Sequence, residues 1–230
     1  MTTPTTAARW AAAGCLGIVV LAIVGNVLAL ETVLHPGDPG ASAEAVRESE
    51  TTLRLGIAAF LGIVVLDLVV TWALFVVFRP VHHDLALAAA WFRLAYSVVL
   101  GAALGCLYAA VWLARAPAGP SPAAADAGVL LALEAFEFTW VAGLAVFGAH
   151  LVLVGGLLER TDGPRWLAWT LRTAGAAYAA DAFAHILLTG YASYATAFLV
   201  LVAVPSVIGE LSLTVWLLRV GLGRRSTAPV

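Results

Sequence analysis

Apolar residues along this chain come in six long runs separated by short polar stretches. The runs cover about residues 10–30, 53–78, 86–113, 129–157, 166–189 and 196–219. Each meets the roughly 20 residues an α-helix needs to cross a hydrocarbon core about 30 Å thick. The pattern predicts an all-α protein, an integral membrane bundle of six transmembrane helices. The breaks carry turn chemistry. Pro80 stops the second run, and Gly163-Pro164 lies in the charged connector 159–165, which folds the fourth and fifth spans into an antiparallel hairpin. Residues 31–52 read as the largest loop and 115–127 as a Pro/Ala loop. Residues 1–8 read as a disordered cytoplasmic tail, 9–221 as a single six-helix domain and 222–230 as a second cytoplasmic tail.

Composition strengthens this reading. Of 230 residues, 62% are hydrophobic and 11% charged, which excludes an ordinary soluble globular domain. A net charge of −2 leaves no basic footprint for nucleic acid. The chain has no Lys, which removes Schiff-base chemistry. Arg9, Arg79, Arg93, Arg160, Arg165, Arg172, Arg219, Arg224 and Arg225 fall on or near the side that holds both termini. Arg47, Arg54 and Arg115 fall towards the other. The positive-inside rule then places both termini in the cytoplasm. Tyr191 and Tyr194 on one side, and Trp10, Trp166 and Trp169 on the other, fit the two interfacial aromatic belts. Cys15 and Cys106 are isolated within spans and read as small buried hydrophobes.

The candidate chemistry consists of ionisable groups inside these runs. A charge at the centre of a span costs about 3 kcal/mol on insertion scales, so such groups turn towards the bundle interior and find partners. An inner layer holds Arg93, His150, Arg172 and Glu210, with Asp67 near the midplane; Arg93 is expected to pair with Glu210 or Asp67. An outer layer holds Glu134, Glu137, Asp181 and His185. Glu134 and Glu137 share a helix face, and Tyr178, Asp181 and His185 continue a stripe that starts at Ala174. His150 lies thirteen residues beyond Glu137, so the two cannot share one compact site on that helix alone. Close carboxylates cannot all ionise in a low dielectric, so the outer set could carry a proton, hold a cation or act as a general acid. It contains the ligand types of a zinc or iron site, but the sequence assigns no metal and no cofactor. Pro205 should kink the last span ahead of a stripe formed by Ser206, Glu210 and Thr214. Gly101 and Gly105 form a GxxxG pair suited to close helix contact, including contact with a second copy of the chain.

Several stretches carry a resemblance. They are Arg79-Pro80 followed by Leu85-Ala86-Leu87-Ala88 and Phe92-Arg93, then Phe147-Gly148-Ala149-His150-Leu151 with Val154-Gly155-Gly156-Leu157. Pro164-Arg165-Trp166-Leu167 with Gly175-Ala176-Ala177-Tyr178 follow, then Ile208-Gly209-Glu210-Leu211-Ser212-Leu213 with Trp216-Leu217-Leu218. In order and spacing the chain resembles a family of bacterial six-span membrane proteins catalogued as a domain of unknown function. The resemblance implies the fold and a multi-pass location in the bacterial cytoplasmic membrane. It singles out Arg93, His150 and Glu210, and implies no activity.

Three functional classes stay open. The polar interior could bind or move a small lipophilic or ionic ligand, which is the reading adopted here. The chain could be a membrane enzyme acting on a lipid or isoprenoid, with Glu137 or Asp181 as the acid. Phe136, Phe138, Trp140 and Tyr178 would then steady cationic character. It could also be a non-catalytic component that assembles with partners in the membrane. The sequence contains no nucleotide-binding loop, HExxH or GxSxG motif.

Overall fold

The computed structural model describes residues 2–115 and 121–223. The described residues form seven α-helices and no β-strand. These are α1 (Pro4–Asn26), α2 (Pro39–Glu48), α3 (Glu50–Phe78), α4 (His83–Arg115), α5 (Pro122–Leu158), α6 (Arg165–Leu187) and α7 (Ala195–Gly221), with a π-helical turn at Val27–Glu31 and a short 3₁₀ turn at Tyr191–Ser193. Five are long and apolar enough to cross a membrane: α1 with its π turn, α3, α4, α5 and α7. Large apolar side chains such as Leu61, Val65, Leu68 and Trp72 on α3, and Leu199, Val200, Val204 and Val207 on α7, are exposed on these helices. Faces of this kind suit lipid rather than water. The chain is a multi-pass helical membrane protein.

The run at 166–189 forms α6, whose 23 residues reach about 34 Å at 1.5 Å per residue. Arg165, Arg172, Asp181 and His185 make it less apolar than the other long helices. Three segments expected as tail or loop prove more ordered than expected, and one of them is the Pro/Ala loop 115–127, where α5 already begins at Pro122. Residues 1–8 are helical from Pro4, because Pro4 opens the helix and the Thr3 hydroxyl accepts from the Thr6 N–H at 3.2 Å. Within 31–52, Asp38 caps α2 by accepting from the Ala41 N–H at 2.9 Å, and Pro39 stands at its first position. The short helix buries Ser42, Ala43 and Val46. Residues 116–120 of the Pro/Ala loop, together with Arg224, Arg225 and the rest of 224–230, lie outside the described residues.

The chain divides into two compact units. The first comprises Met1–Leu16, Leu66–Ser97 and Val141–Val230. Its helices touch through small residues. Gly148 on α5 and Gly175 on α6 meet so closely that a β-carbon on either would overlap the other's carbonyl oxygen. Gly155 lies against the Ala168 carbonyl and Gly209 against Leu171. Phe78 stacks on Trp216 at 5.7 Å, and Arg9 Nε donates to the Gly221 carbonyl at 2.7 Å. The second unit comprises Gly17–Val65 and Val98–Trp140. Phe60 sits at its centre, 5.4 Å from Phe136 and 5.6 Å from Trp140 by ring centroids. Glu50 pairs there with both Arg54 and Arg115, and Arg47 pairs with Asp126. Gly56 packs against the Ala29 backbone, whereas Gly105 of the GxxxG pair has no neighbour within 4 Å of its β position.

Candidate functional site

The polar centre lies wholly in the first unit and begins on α4. Ala89, Arg93 and Ser97 follow one another at four-residue spacing, so their positions stack along one helix face. Arg93 Nη2 donates to Asp67 Oδ1 on α3. The Ser97 hydroxyl donates to Asp67 Oδ2 at 2.6 Å, so both carboxylate oxygens are satisfied. The Thr71 hydroxyl donates to the Asp67 backbone carbonyl at 2.7 Å. The expected partner of Arg93 is therefore Asp67 rather than Glu210.

His150 on α5 completes the group. Its Nδ1 lies 2.9 Å from the Ala89 carbonyl and its Nε2 lies 3.3 Å from Arg93 Nη1. A carbonyl only accepts and a guanidinium only donates. The ring must then carry its proton on Nδ1 and present a bare Nε2 to the arginine. Beneath the guanidinium lies the Phe147 ring, with Arg93 Cζ 5.2 Å from its centroid. Asp67, Arg93, Ser97 and His150 are all buried. The space beside His150, bounded by Phe78, Ala86, Ala89, Val154 and Leu157, is about 10 Å³, room for a single water at most. Charge is neutralised here, and α3, α4 and α5 are joined by directional bonds.

The aromatic contacts continue outward. Phe147 meets Tyr178 of α6 edge-on at 5.8 Å, and the Tyr178 hydroxyl donates to Glu210 Oε1 of α7 at 3.3 Å. Glu210 is half-buried. It lies within electrostatic reach of Arg93 but forms no ion pair within 4 Å among the described residues. Thr214, one turn on, donates its hydroxyl back to the Glu210 carbonyl at 2.8 Å. Arg172, expected in the inner layer, turns away from this centre. It pairs with Glu159 at 2.6 Å and lies over the Trp169 ring at 5.1 Å.

The outer residues fall into separate groups. Asp181 accepts from the Tyr191 hydroxyl at 2.7 Å, and the His185 ring lies 4.3 Å from that of Tyr191, all within the first unit. Glu134 and Glu137 belong to the second unit and are both exposed on α5. Among the described residues, no three His, Cys, Asp or Glu side chains form a group that could hold a metal ion. Neither Ser97 nor Phe147, the floor under Arg93, was assigned to the site from sequence. Four-residue spacing marked the first. The second had a signal in the Phe147/His150 pair, which sits three residues apart on one helix face.

Residues 11–221 match the model of a family described as a domain of unknown function, DUF4386, and the chain belongs to that family. No curated protein and no solved structure matches it.

Proposed function

We propose that this DUF4386 member binds a proton or small cation at Glu210 and passes it through the membrane, while the Asp67–Arg93–Ser97–His150 group holds the surrounding helices in register. The observation that carries the reading is the division of labour among the acids. Asp67 is buried, with both carboxylate oxygens bonded and an arginine as its counter-charge. Glu210 is half-buried and has a phenol hydroxyl rather than a cation at hydrogen-bond distance. A charge left in that condition inside an apolar helix is expensive unless a proton or cation neutralises it, which gives Glu210 a reason to take one up. Pro205 removes one backbone hydrogen bond from α7 five residues earlier, which suits local movement around the group.

The proposal includes six crossings of a bacterial cytoplasmic membrane with both termini in the cytoplasm. The bond from Arg9 to Gly221 brings the start of α1 to the end of α7, and a chain whose ends meet on one face crosses an even number of times. Alpha6 supplies the sixth crossing, shielded by neighbours along its Leu167, Leu171, Ala174, Gly175 and Ala182 face. The arginine distribution sets the orientation.

The test is flux in proteoliposomes that enclose a pH-sensitive dye. The wild-type protein should dissipate an imposed proton or cation gradient, and Glu210→Gln should abolish this while keeping its thermal unfolding transition. Equal flux from both proteins would reject the assignment of Glu210. Absence of flux from the wild type would reject the transport reading. A second reading, binding of a lipophilic ligand, is favoured by an apolar groove of about 300 Å³ between α3 and α4, lined by Leu68, Thr71, Trp72, Phe75, Leu87 and Trp91.

A further inference from the structure

A second groove, of about 230 Å³, runs between the start of α6 and the last turns of α7. On α7 its wall is a stripe at four-residue spacing: Leu211, Val215, then Arg219. Two apolar side chains thus lead along about 12 Å of helix to a cation at the helix end. Ser212 lies beside them, and Trp166 and Leu167 of α6 form the facing wall. Arg219 is exposed and has no ion-pair partner among the described residues. Arg165, in the first turn of α6, is exposed as well and likewise has no ion-pair partner among them. Trp166 is 56% exposed at the same end, the position an indole takes at a membrane interface. Trp216, in the groove wall, is 3% exposed, and its indole N–H has no acceptor among the described residues.

We infer that this groove is a binding site for an anionic phospholipid. One acyl chain lies along Leu211 and Val215, and the phosphate is held by Arg219 at the helix end. Charge decides the occupant. An apolar channel alone would accept any acyl chain, but one that ends at an unneutralised arginine discriminates by headgroup. A zwitterionic lipid brings its own cation to the same place and gains less. The site is separate from Glu210 and does not depend on its role.

The test uses the full chain purified in a mild detergent, with phosphatidylglycerol and phosphatidylcholine of identical acyl chains added in equal amounts. Lipid retained on the intact protein is read by native mass spectrometry. The wild-type protein should retain phosphatidylglycerol over phosphatidylcholine. Arg219→Gln should reduce that preference about fivefold, the effect of one interfacial arginine. Leu211→Trp, which fills the channel but leaves the charge, should lower retention of both lipids. Thermal unfolding of each variant confirms that it remains folded. Equal retention of the two lipids by the wild type, a preference unchanged by Arg219→Gln, or a retention unchanged by Leu211→Trp would overturn the assignment.

Discussion

Gly148 and Gly175 occupy one crossing point of α5 and α6, each backbone filling the space where the other's side chain would begin. Neither position has room for a methyl group, because the obstructing atom is a carbonyl oxygen rather than a movable side chain. Gly148→Ala or Gly175→Ala should therefore force the helices apart. A loss of about 1–3 kcal/mol is expected from overpacking of this kind, seen as a lower unfolding midpoint in detergent. An unchanged midpoint for both would mean that the helices do not cross there.

The Asp67–Arg93 pair calls for two single substitutions and their combination. Asp67→Asn leaves a buried guanidinium without its counter-charge, and Arg93→Gln leaves a buried carboxylate. Each should cost about 3–5 kcal/mol, the usual penalty for breaking one side of a buried pair. The double variant should lose much less than the sum. Chemical unfolding in mixed micelles measures all three, and strict additivity would deny the contact.

His150 makes a prediction about a proton rather than about stability. With Nδ1 held by the Ala89 carbonyl and Nε2 facing Arg93, the ring should appear as the Nδ1–H tautomer. Nitrogen NMR on histidine-labelled protein distinguishes the two ring nitrogens. An Nε2–H signal would mean that the ring is flipped and that Arg93 lacks this acceptor.

Arg172 offers a contrast. Its pair with Glu159 is only partly shielded, with side-chain exposures of 27% and 29%. Pairs of this kind contribute about 0–1 kcal/mol. Arg172→Gln should shift the unfolding midpoint far less than Arg93→Gln does, and a comparable loss would place Arg172 in the central network after all.

What was legible in the sequence follows from the physics of each feature. Long apolar runs announce helices without help from tertiary contacts, so every expected span corresponds to a helix. Alpha2 was read as loop because its turns are polar, although Asp38-Pro39 was a helix-start signal in plain view. The need of Arg93 for a partner could be read from its burial cost. The choice of Asp67 over Glu210 could not, because it depends on how α3 and α4 are rotated against each other, and no periodicity within one helix encodes that angle. Likewise Asp181 and His185 were correctly seen as neighbours on α6. Tyr191, which joins them, comes from a turn that the sequence offered only as an interfacial aromatic.

The bond from Arg9 to the last carbonyl of α7 bears on how freely the order of the helices can be rewritten. With the first and last helices fastened at one end, the start of α1 can be joined to the end of α7 by a short Gly/Ser bridge and a fresh opening cut at Gly190, where a β-carbon would meet nothing within 4 Å. A circular permutant of that design should insert and fold. Its α7 would then be synthesised first, which separates what the finished bundle requires from what the order of synthesis imposes.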